Sequence, residues 1–474
     1  MAMIGEIKNH LESTVPASLY NGTKIVYGGI KQAVQPVRTL YYLLKYRSVR
    51  ARHRKARELV RGKEKIKAAF FLIQEPVWKY EGVYRLMERD ERFEPVIIVC
   101  PYLLYGEAQM QKDMEKAFTS FSKKGYNVIR TLGEDGSWLD VKNGIRPDLI
   151  FFTIPYFYSR PEYHITHFPD TLTFYVPYVY VMTERPGLRY RQELHQLAYK
   201  IFHESEYHAR QARKHAMNRG YNAVVTGYPG LDFVFRDGTG RVRDEAEGSS
   251  VHGGTGSDRD GSGESMVNDP WMRADRRVKR IIWAPHHSIE TAKEPFNYSN
   301  FLTYHQFFLE LAERYADEII LSFKPHPLLK SKLKALPGWG DERTEAYYRE
   351  WERRPNCQLN EGLYDDLFLT SDAMIHDSVS FLAEYFSTGK PSLYMIADDF
   401  ILSGFSAPGK EIVHAHYHSH GREDVESFIR EVVLGGNDTM KPQREALIST
   451  LLRPPNNSSA SQHIMNEIAR IIEK

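Results

Sequence analysis

The sequence has few residues that could cross-link the chain or anchor it in a membrane. Its 474 residues include two cysteines, Cys100 and Cys357, which lie far apart. This scarcity argues against a disulfide framework or a thiolate zinc site and indicates a reducing, cytoplasmic setting. No apolar run reaches the roughly 18 residues that would span a bilayer. The first residues also lack the pattern of a secretory signal, so any membrane contact is expected to be peripheral.

An excess of charge of one sign is also missing. Lys and Arg number 63 and Asp and Glu 61, which argues against a chain-wide nucleic-acid surface. One local patch stands out, because residues 45–67 hold eleven basic and two acidic side chains and follow apolar residues at helical spacing. This order predicts that residues 1–66 form a basic amphipathic segment on an anionic membrane surface. A solvated helix that covers another element and nucleic-acid binding are the alternatives.

The remaining chain reads as two α/β domains. A hydrophobic content of 42% and a charged content of 26% are typical of folded, soluble proteins. Short, nearly continuous apolar runs alternate with helical stretches, a pattern typical of parallel strands buried on both faces. The predicted strands are residues 68–73, 96–100, 126–129, 149–152, 175–181 and 223–225, and then 281–284, 318–323, 373–375 and 391–395.

Composition also suggests where the domains begin and end. Residues 236–270 are rich in Gly, Ser and Asp and have few large apolar side chains, so they are predicted to be a disordered linker or insertion. They separate a first domain, 67–235, from a second, 271–455, and residues 456–474 are predicted to form a closing helix. Two Rossmann-like domains in tandem place a cleft between the carboxyl ends of their sheets.

Three predicted strands of the second domain are each followed by side chains suited to a phosphate. Because parallel strands end at one edge of a sheet, these side chains are expected to converge at the cleft. A helix beginning near Ser380 would add unpaired amides for an anion, although ordinary N-capping explains the same residues. The three groups are His286, His287 and Ser288; Lys324 and His326; and His376, Asp377, Ser378 and Ser380.

Other patterns leave alternatives open. A zinc site of His286, His326 and His376 competes with the phosphate interpretation, although the spacing shows no carboxylate partner. The alternating histidines of residues 414–420 would share one face of an extended segment, and a solvent-facing strand or loop is favoured. The aromatic residues 174–180 either stack on an acceptor sugar or a base at the cleft or pack in the core.

These motifs resemble those of the CDP-glycerol glycerophosphotransferase family, whose members build teichoic-acid-like and capsular polymers on a two-domain GT-B fold. Residues 376–391 align with the family pattern T-D-Y-S-S and N-T-G-K-P, with Glu384 where the family usually has Asp. Residues 226–232 resemble T-G-Y-P-R-x-D, and residues 324–327 resemble K-x-H-P. The similarity covers residues 220–474, and the His-Gly-Thr motif of the family's first domain is missing.

The resemblance implies that a polyol phosphate moves from a CDP-linked donor to a hydroxyl of a surface polymer or lipid-linked glycan, releasing CMP. Read together with the strand tips, it leads us to expect catalysis by His326 and His286, and His167, next to the aromatic stretch, is the candidate acceptor-side base. No metal or other cofactor is implied, although a divalent ion is compatible with the fold. Donor binding is assigned to Lys324, His287, His376, Asp377, Ser378, Ser380 and Glu384.

Two other functions fit the same sequence. A nucleotide-sugar glycosyltransferase of the GT-B type would hold UDP or GDP at the same strand tips. A catalytically silent scaffold for polymer assembly would bind neither donor. In each case the expected location is the cytoplasm, on the inner face of the cell membrane.

Overall fold

The computed structural model describes residues 17–235, 269–272, 277–289 and 298–473. Within these residues, thirteen strands form two sheets. The strands are β1 (Ile66–Leu72), β2 (Phe93–Val99), β3 (Val128–Arg130), β4 (Leu149–Phe152), β5 (Leu172–Tyr175), β6 (Lys200–His203), β7 (Ala223–Val225), β8 (Lys279–Ala284), β9 (Ile319–Phe323), β10 (Cys357–Leu359), β11 (Ala373–His376), β12 (Ser392–Met395) and β13 (Tyr417–Ser419).

Each sheet is parallel throughout. The first has the order β3-β2-β1-β4-β5-β6-β7 and the second β10-β9-β8-β11-β12-β13. The burial of β1, whose sequence is IKAAFFL, fits such a sheet. Six of its seven side chains are buried, as expected for a central parallel strand covered on both faces. The predicted α/β class with two Rossmann-like domains of the GT-B type is therefore confirmed.

Helices connect the strands and cover the sheets. They are α1 (Ala17–Val60), α2 (Glu81–Arg89), α3 (Glu107–Lys123), α4 (Pro186–Arg189), α5 (Glu193–Leu197), α6 (Glu206–His215), α7 (Asp232–Phe235), α8 (Phe301–Arg314), α9 (Leu329–Ala335), α10 (Gly340–Arg353), α11 (Asp365–Thr370), α12 (Phe381–Glu384), α13 (Phe400–Ser403), α14 (Ala407–His414), α15 (Arg422–Ser427), α16 (Lys441–Leu447) and α17 (Ala460–Ile472).

The structure differs from the predicted elements in several places. Strands β6, β10 and β13 were not predicted, because each has three or four residues and includes polar side chains. The predicted strand 175–181 is instead β5, which ends at Tyr175 and is followed by a loop that contains Pro177. The histidines of residues 414–420 do not share a face, since His416 is buried and His420 is exposed.

Helix α1 has two distinct faces. One face packs on the first domain through side chains that recur every three or four residues. The opposite face is open, with Val37, Leu40, Tyr41 and Leu44 more than half exposed. The basic side chains Arg47, Arg50 and Arg54 are exposed further along the helix. The buried side chains are Tyr42, Tyr46, Val49, His53, Ala56 and Val60.

The end of the chain returns to the first domain. Helix α17 packs against α2 and buries Ile464, Ile468 and Ile471. Its N-cap is Ser459, whose side chain accepts a hydrogen bond from the amide of Gln462. The carboxylate of Asp232 accepts two more, from the amides of Ala460 at 2.8 Å and Ser461 at 2.9 Å. The motif at residues 226–232 and the closing segment thus meet in space and join the two domains.

The predicted linker lies almost entirely outside the described residues. Residues 236–268 are not described, so their disorder stays a prediction. At the end of the segment, Asp269 forms an ion pair with the buried Arg280 at 2.9 Å, which places it against the second domain. A cleft of about 3050 Å³ lies between the two sheets and is lined by residues of both.

Candidate functional site

The neighbouring strands β9, β8 and β11 all end at this cleft. The tips of β8 and β9 stay joined beyond the strands, because the amide of His326 donates to the carbonyl of Pro285 at 3.1 Å. The ring centroids of His286 and His287 lie 4.2 Å apart, those of His287 and His326 4.2 Å, and those of His286 and His326 5.3 Å. We call these three residues the histidine cluster. His287 and His326 line the cleft.

Backbone hydrogen bonds fix the tautomer of two of these three histidine rings. The amide of Leu328 donates to Nδ1 of His326 at 3.1 Å, and that of Ser288 donates to Nδ1 of His286 at 3.2 Å. A neutral ring whose Nδ1 accepts a hydrogen bond carries its proton on Nε2. Burial lowers the pKa of His326 and of His286 well below 6.5, so both rings are neutral at pH 7 and present Nε2–H as a donor.

The histidine cluster is also the group of side chains best placed to hold a metal. Each of its three rings offers a nitrogen, and within the described residues these atoms lie within 4.8 Å of one another. Ligation of a metal through Nε2 of His326 would require a proton on Nδ1, where the amide of Leu328 already points. The observed hydrogen bonds therefore favour an anion over a cation at this edge of the cleft.

Lys324 brings positive charge to the same edge. Its side chain is buried, Nζ donates to the carbonyl of Gly362 at 2.8 Å, and burial lowers its pKa to about 8. The ammonium group is thus still charged at pH 7. Ser378 and Ser380 line the same cleft. Helix α12 has four residues and Ser380 does not cap it through its side chain, so the hydroxyls, rather than a helix terminus, are available to a ligand.

Two residues assigned to donor binding do not reach the cleft. His376 is the last residue of β11 and is fully buried, with its ring against those of Tyr394 and His416. The adjacent Asp377 is buried too and accepts hydrogen bonds from the amides of His286 at 2.5 Å and Asn300 at 2.6 Å. Burial raises the pKa of Asp377 to about 7. Asp377 thus holds the loop that carries His286, and neither residue lies where it could contact a donor bound in the cleft.

Glu384 also has a different role from the one assigned. Its carboxylate is 1% exposed and forms an ion pair with Lys79 of the first domain at 3.0 Å. It also accepts hydrogen bonds from Tyr228, at 3.3 Å, and Tyr364. With three protein partners, this carboxylate joins the two domains at the base of the cleft and is not available to orient a ribose. The pair could not be predicted from the sequence, because Lys79 and Glu384 are 305 residues apart.

His167 is not part of the cleft. It ends a short 3-10 turn that precedes β5, and it is not among the residues that line the cleft. Its assignment as the acceptor-side base is therefore corrected. Besides charged side chains such as Lys112 and Lys116, the first-domain lining includes five tyrosines, which are Tyr102, Tyr105, Tyr156, Tyr158 and the Tyr178 of the predicted aromatic stretch. The position of Tyr156 and Tyr158 after a predicted strand was the available signal.

Known proteins resemble this chain in structure rather than in sequence. No protein-family model matches the sequence, and no curated protein matches it. The solved structure of the wall teichoic acid polymerase TagF matches with a TM-score of 0.52 and 12% identity, over 92% of this chain and 98% of that one. The chain has a GT-B-type fold.

Two further structures show how widely this fold is shared. A TagF variant soaked with CDPG matches with a TM-score of 0.50 and 12% identity, over 92% of this chain and 98% of that one. A UDP-N-acetylglucosamine 2-epimerase matches with a TM-score of 0.50 and 12% identity, over 86% and 96%. The predicted resemblance is thus confirmed for the fold, and the chemistry has to be argued from the site.

Proposed function

We propose that the protein is a phosphotransferase that moves a polyol phosphate from a CDP-linked donor to a hydroxyl of a surface polymer or lipid-linked glycan. The observation that carries the proposal is that His326, His287, Lys324 and Ser378, which follow the neighbouring strands β9, β8 and β11, all line the cleft. Together they offer a cation, a hydroxyl and an imidazole N–H, which are the groups that bind a diphosphate. The TagF variant that was soaked with CDPG adds support from the same fold.

In the proposed reaction, an acceptor oxygen attacks the phosphorus of the polyol phosphate. A new P–O bond forms, the bond to the bridging oxygen breaks, and CMP leaves with the bond's electron pair. The proton of the acceptor hydroxyl passes to the phosphate of the departing CMP or to water. Such a transfer needs mainly positioning and stabilisation of charge. The Nε2–H of His326 and the ammonium group of Lys324 would bind the phosphate oxygens on which negative charge builds up.

His286 contributes indirectly. Its ring packs on those of His287 and His326, and its amide is held by Asp377. We assign it to positioning the two rings that line the cleft. No cofactor is required by this scheme, because the four polar side chains supply the donors themselves.

The test is a donor panel with product analysis. The full-length protein is incubated with an acceptor extract and CDP-glycerol, CDP-ribitol or UDP-linked sugars, and released CMP and UDP are separated by chromatography. The proposal predicts CMP release and a phosphodiester product. Release of UDP with a glycosidic product would instead establish a glycosyltransferase, and absence of turnover and of binding for every donor would indicate the scaffold.

The proposal includes attachment to an anionic membrane surface. Within the described residues, no helix combines the length and hydropathy needed to cross a bilayer. The open face of α1 offers apolar side chains at Val37, Leu40 and Leu44, and exposed arginines follow. Apolar insertion and attraction to anionic headgroups would act together on such a helix. Its other face is already used against the first domain, which would hold the cleft close to a lipid-linked acceptor.

A further inference from the structure

Five tyrosines form a continuous strip along the first domain's side of the cleft. They follow three strands: Tyr102 and Tyr105 come after β2, Tyr156 and Tyr158 after β4, and Tyr178 after β5. Ring centroids lie 5.5 Å apart for Tyr102 and Tyr105, 5.6 Å for Tyr102 and Tyr158, 5.1 Å for Tyr156 and Tyr158, and 6.3 Å for Tyr156 and Tyr178. All five line the same cleft as the histidine cluster. We call them the tyrosine strip.

Core packing does not account for these rings. Tyr175 and Tyr180, in the same segment as Tyr178, are 2% exposed and belong to the core. The members of the strip are instead partly exposed, up to 46% for Tyr105 at the rim. Partly exposed aromatic rings that line a concave surface are a typical feature of ligand sites.

The chemistry of the strip favours one class of ligand. It presents neutral ring faces together with phenol hydroxyls, and the hydroxyls of Tyr156 and Tyr178 lie 3.5 Å apart. The C–H face of a sugar ring packs on an aromatic face while the sugar hydroxyls exchange hydrogen bonds with phenols. An aliphatic lipid chain would cover these hydroxyls without bonding to them, which is unfavourable. A chain of phosphates would meet neutral rings at the strip itself, and the nearest cations, Arg189 beside Tyr178 and Lys112 and Lys116 in the lining of the cleft, lie outside it.

We propose that the tyrosine strip binds neutral sugar rings, so that the acceptor of the reaction ends in a glycan. That the bound glycan serves as an acceptor rests on the proposed function, whereas the binding of sugars does not. The strip lines the cleft from the first domain, and Lys324 and His326 line the same cleft from the second. Sugars held by stacking and a few hydrogen bonds bind weakly, with dissociation constants of about a millimolar.

The test measures sugar binding without any donor, so its result is independent of turnover. Binding of N,N′-diacetylchitobiose, maltotriose, ribitol and farnesyl phosphate to the full-length protein is followed by saturation-transfer difference NMR. The expected result is that at least one of the two saccharides binds and that Tyr156→Ala and Tyr178→Ala each weaken it by about fivefold or more. Tyr156→Phe keeps the ring and is expected to weaken it less, through the lost hydroxyl.

Phe157→Ala is the matched control. Phe157 lies between two members of the strip in sequence, but its exposed ring stacks on His164 outside the lining of the cleft, with a centroid separation of 4.4 Å. Its removal is expected to leave saccharide binding unchanged. The inference is overturned if neither saccharide binds better than ribitol, if Phe157→Ala weakens binding as much as Tyr156→Ala, or if farnesyl phosphate is the ligand whose binding depends on Tyr156. CMP release in the donor panel would stand in all three cases.

Discussion

Removing the charge of Lys79 tests how firmly the two domains are joined. Its ammonium group lies 3.0 Å from Glu384 and 2.7 Å from the hydroxyl of Tyr364, and both charged side chains are nearly inaccessible to solvent. Lys79→Met keeps most of the stem's packing but leaves a carboxylate buried without its cation. Breaking a buried pair in this way costs about 3–5 kcal/mol. Because Tyr228 and Tyr364 still donate to the carboxylate, we expect about 3 kcal/mol, measured as the free energy of unfolding in urea.

Two further variants separate the ion pair from general packing. Lys79→Met combined with Glu384→Gln removes both charges and is expected to lie within about 1 kcal/mol of the wild type, since no uncompensated charge remains. Arg213→Ala breaks the exposed pair with Glu206 and is expected to cost less than about 1 kcal/mol. The reasoning is refuted if Lys79→Met costs no more than Arg213→Ala, because the pair would then be open to water and the domains would not be held together there.

Three other perturbations have defined outcomes. Burial lowers the pKa of His376 to about 3, so the stability that its neutral ring contributes is complete above the unfolded-state pKa of about 6.5 and is lost as the pH falls from about 6.5 to 3. In that range the free energy of unfolding should fall by about 1.4 kcal/mol per pH unit because of this residue. His376→Phe should remove this dependence on pH in urea unfolding, and an unchanged dependence would contradict the prediction. Asp232→Ala removes the acceptor of the Ala460 and Ser461 amides in the first turn of α17, leaves the N-cap Ser459 in place, and should cost about 1–2 kcal/mol in urea unfolding. A smaller loss is expected in Asp232→Asn, which keeps an acceptor oxygen, and equal losses would argue against this role. Replacing Arg47, Arg50 and Arg54 with Glu should weaken binding to anionic vesicles by about 10²-fold or more in a sedimentation assay. Binding of the wild type that does not change with salt concentration would contradict an electrostatic contribution to this membrane binding.

The strand tips were predictable because their geometry follows from topology. Apolar runs identify parallel strands, and parallel strands end at one edge, so His286, His287 and His326 were expected together and lie together. The same rule, applied to the first domain, finds Tyr156 and Tyr158 after β4. Nothing beyond the order of strands and a short loop is needed for such a prediction.

Other assignments failed because the sequence does not show which way a side chain points or what is packed against it. His376 directly precedes the cleft-lining Ser378 region but ends the strand with its ring in the core. Glu384 stands where the resembled family usually has Asp, and its partner Lys79 comes from the other domain. The same holds for α1, whose spacing predicts an apolar face but does not show that part of it packs on the first domain.

The most direct test of the central claim compares two histidine variants in the CMP-release assay. His326→Ala removes the imidazole that presents Nε2–H to the cleft, whereas His414→Ala removes an exposed ring at the end of α14, outside the lining. The account predicts that His326→Ala lowers the rate of CMP release by about 10²-fold or more with an unchanged circular dichroism spectrum, and that His414→Ala has no effect. Equal rates in the two variants would show that the strand tips do not carry the reaction.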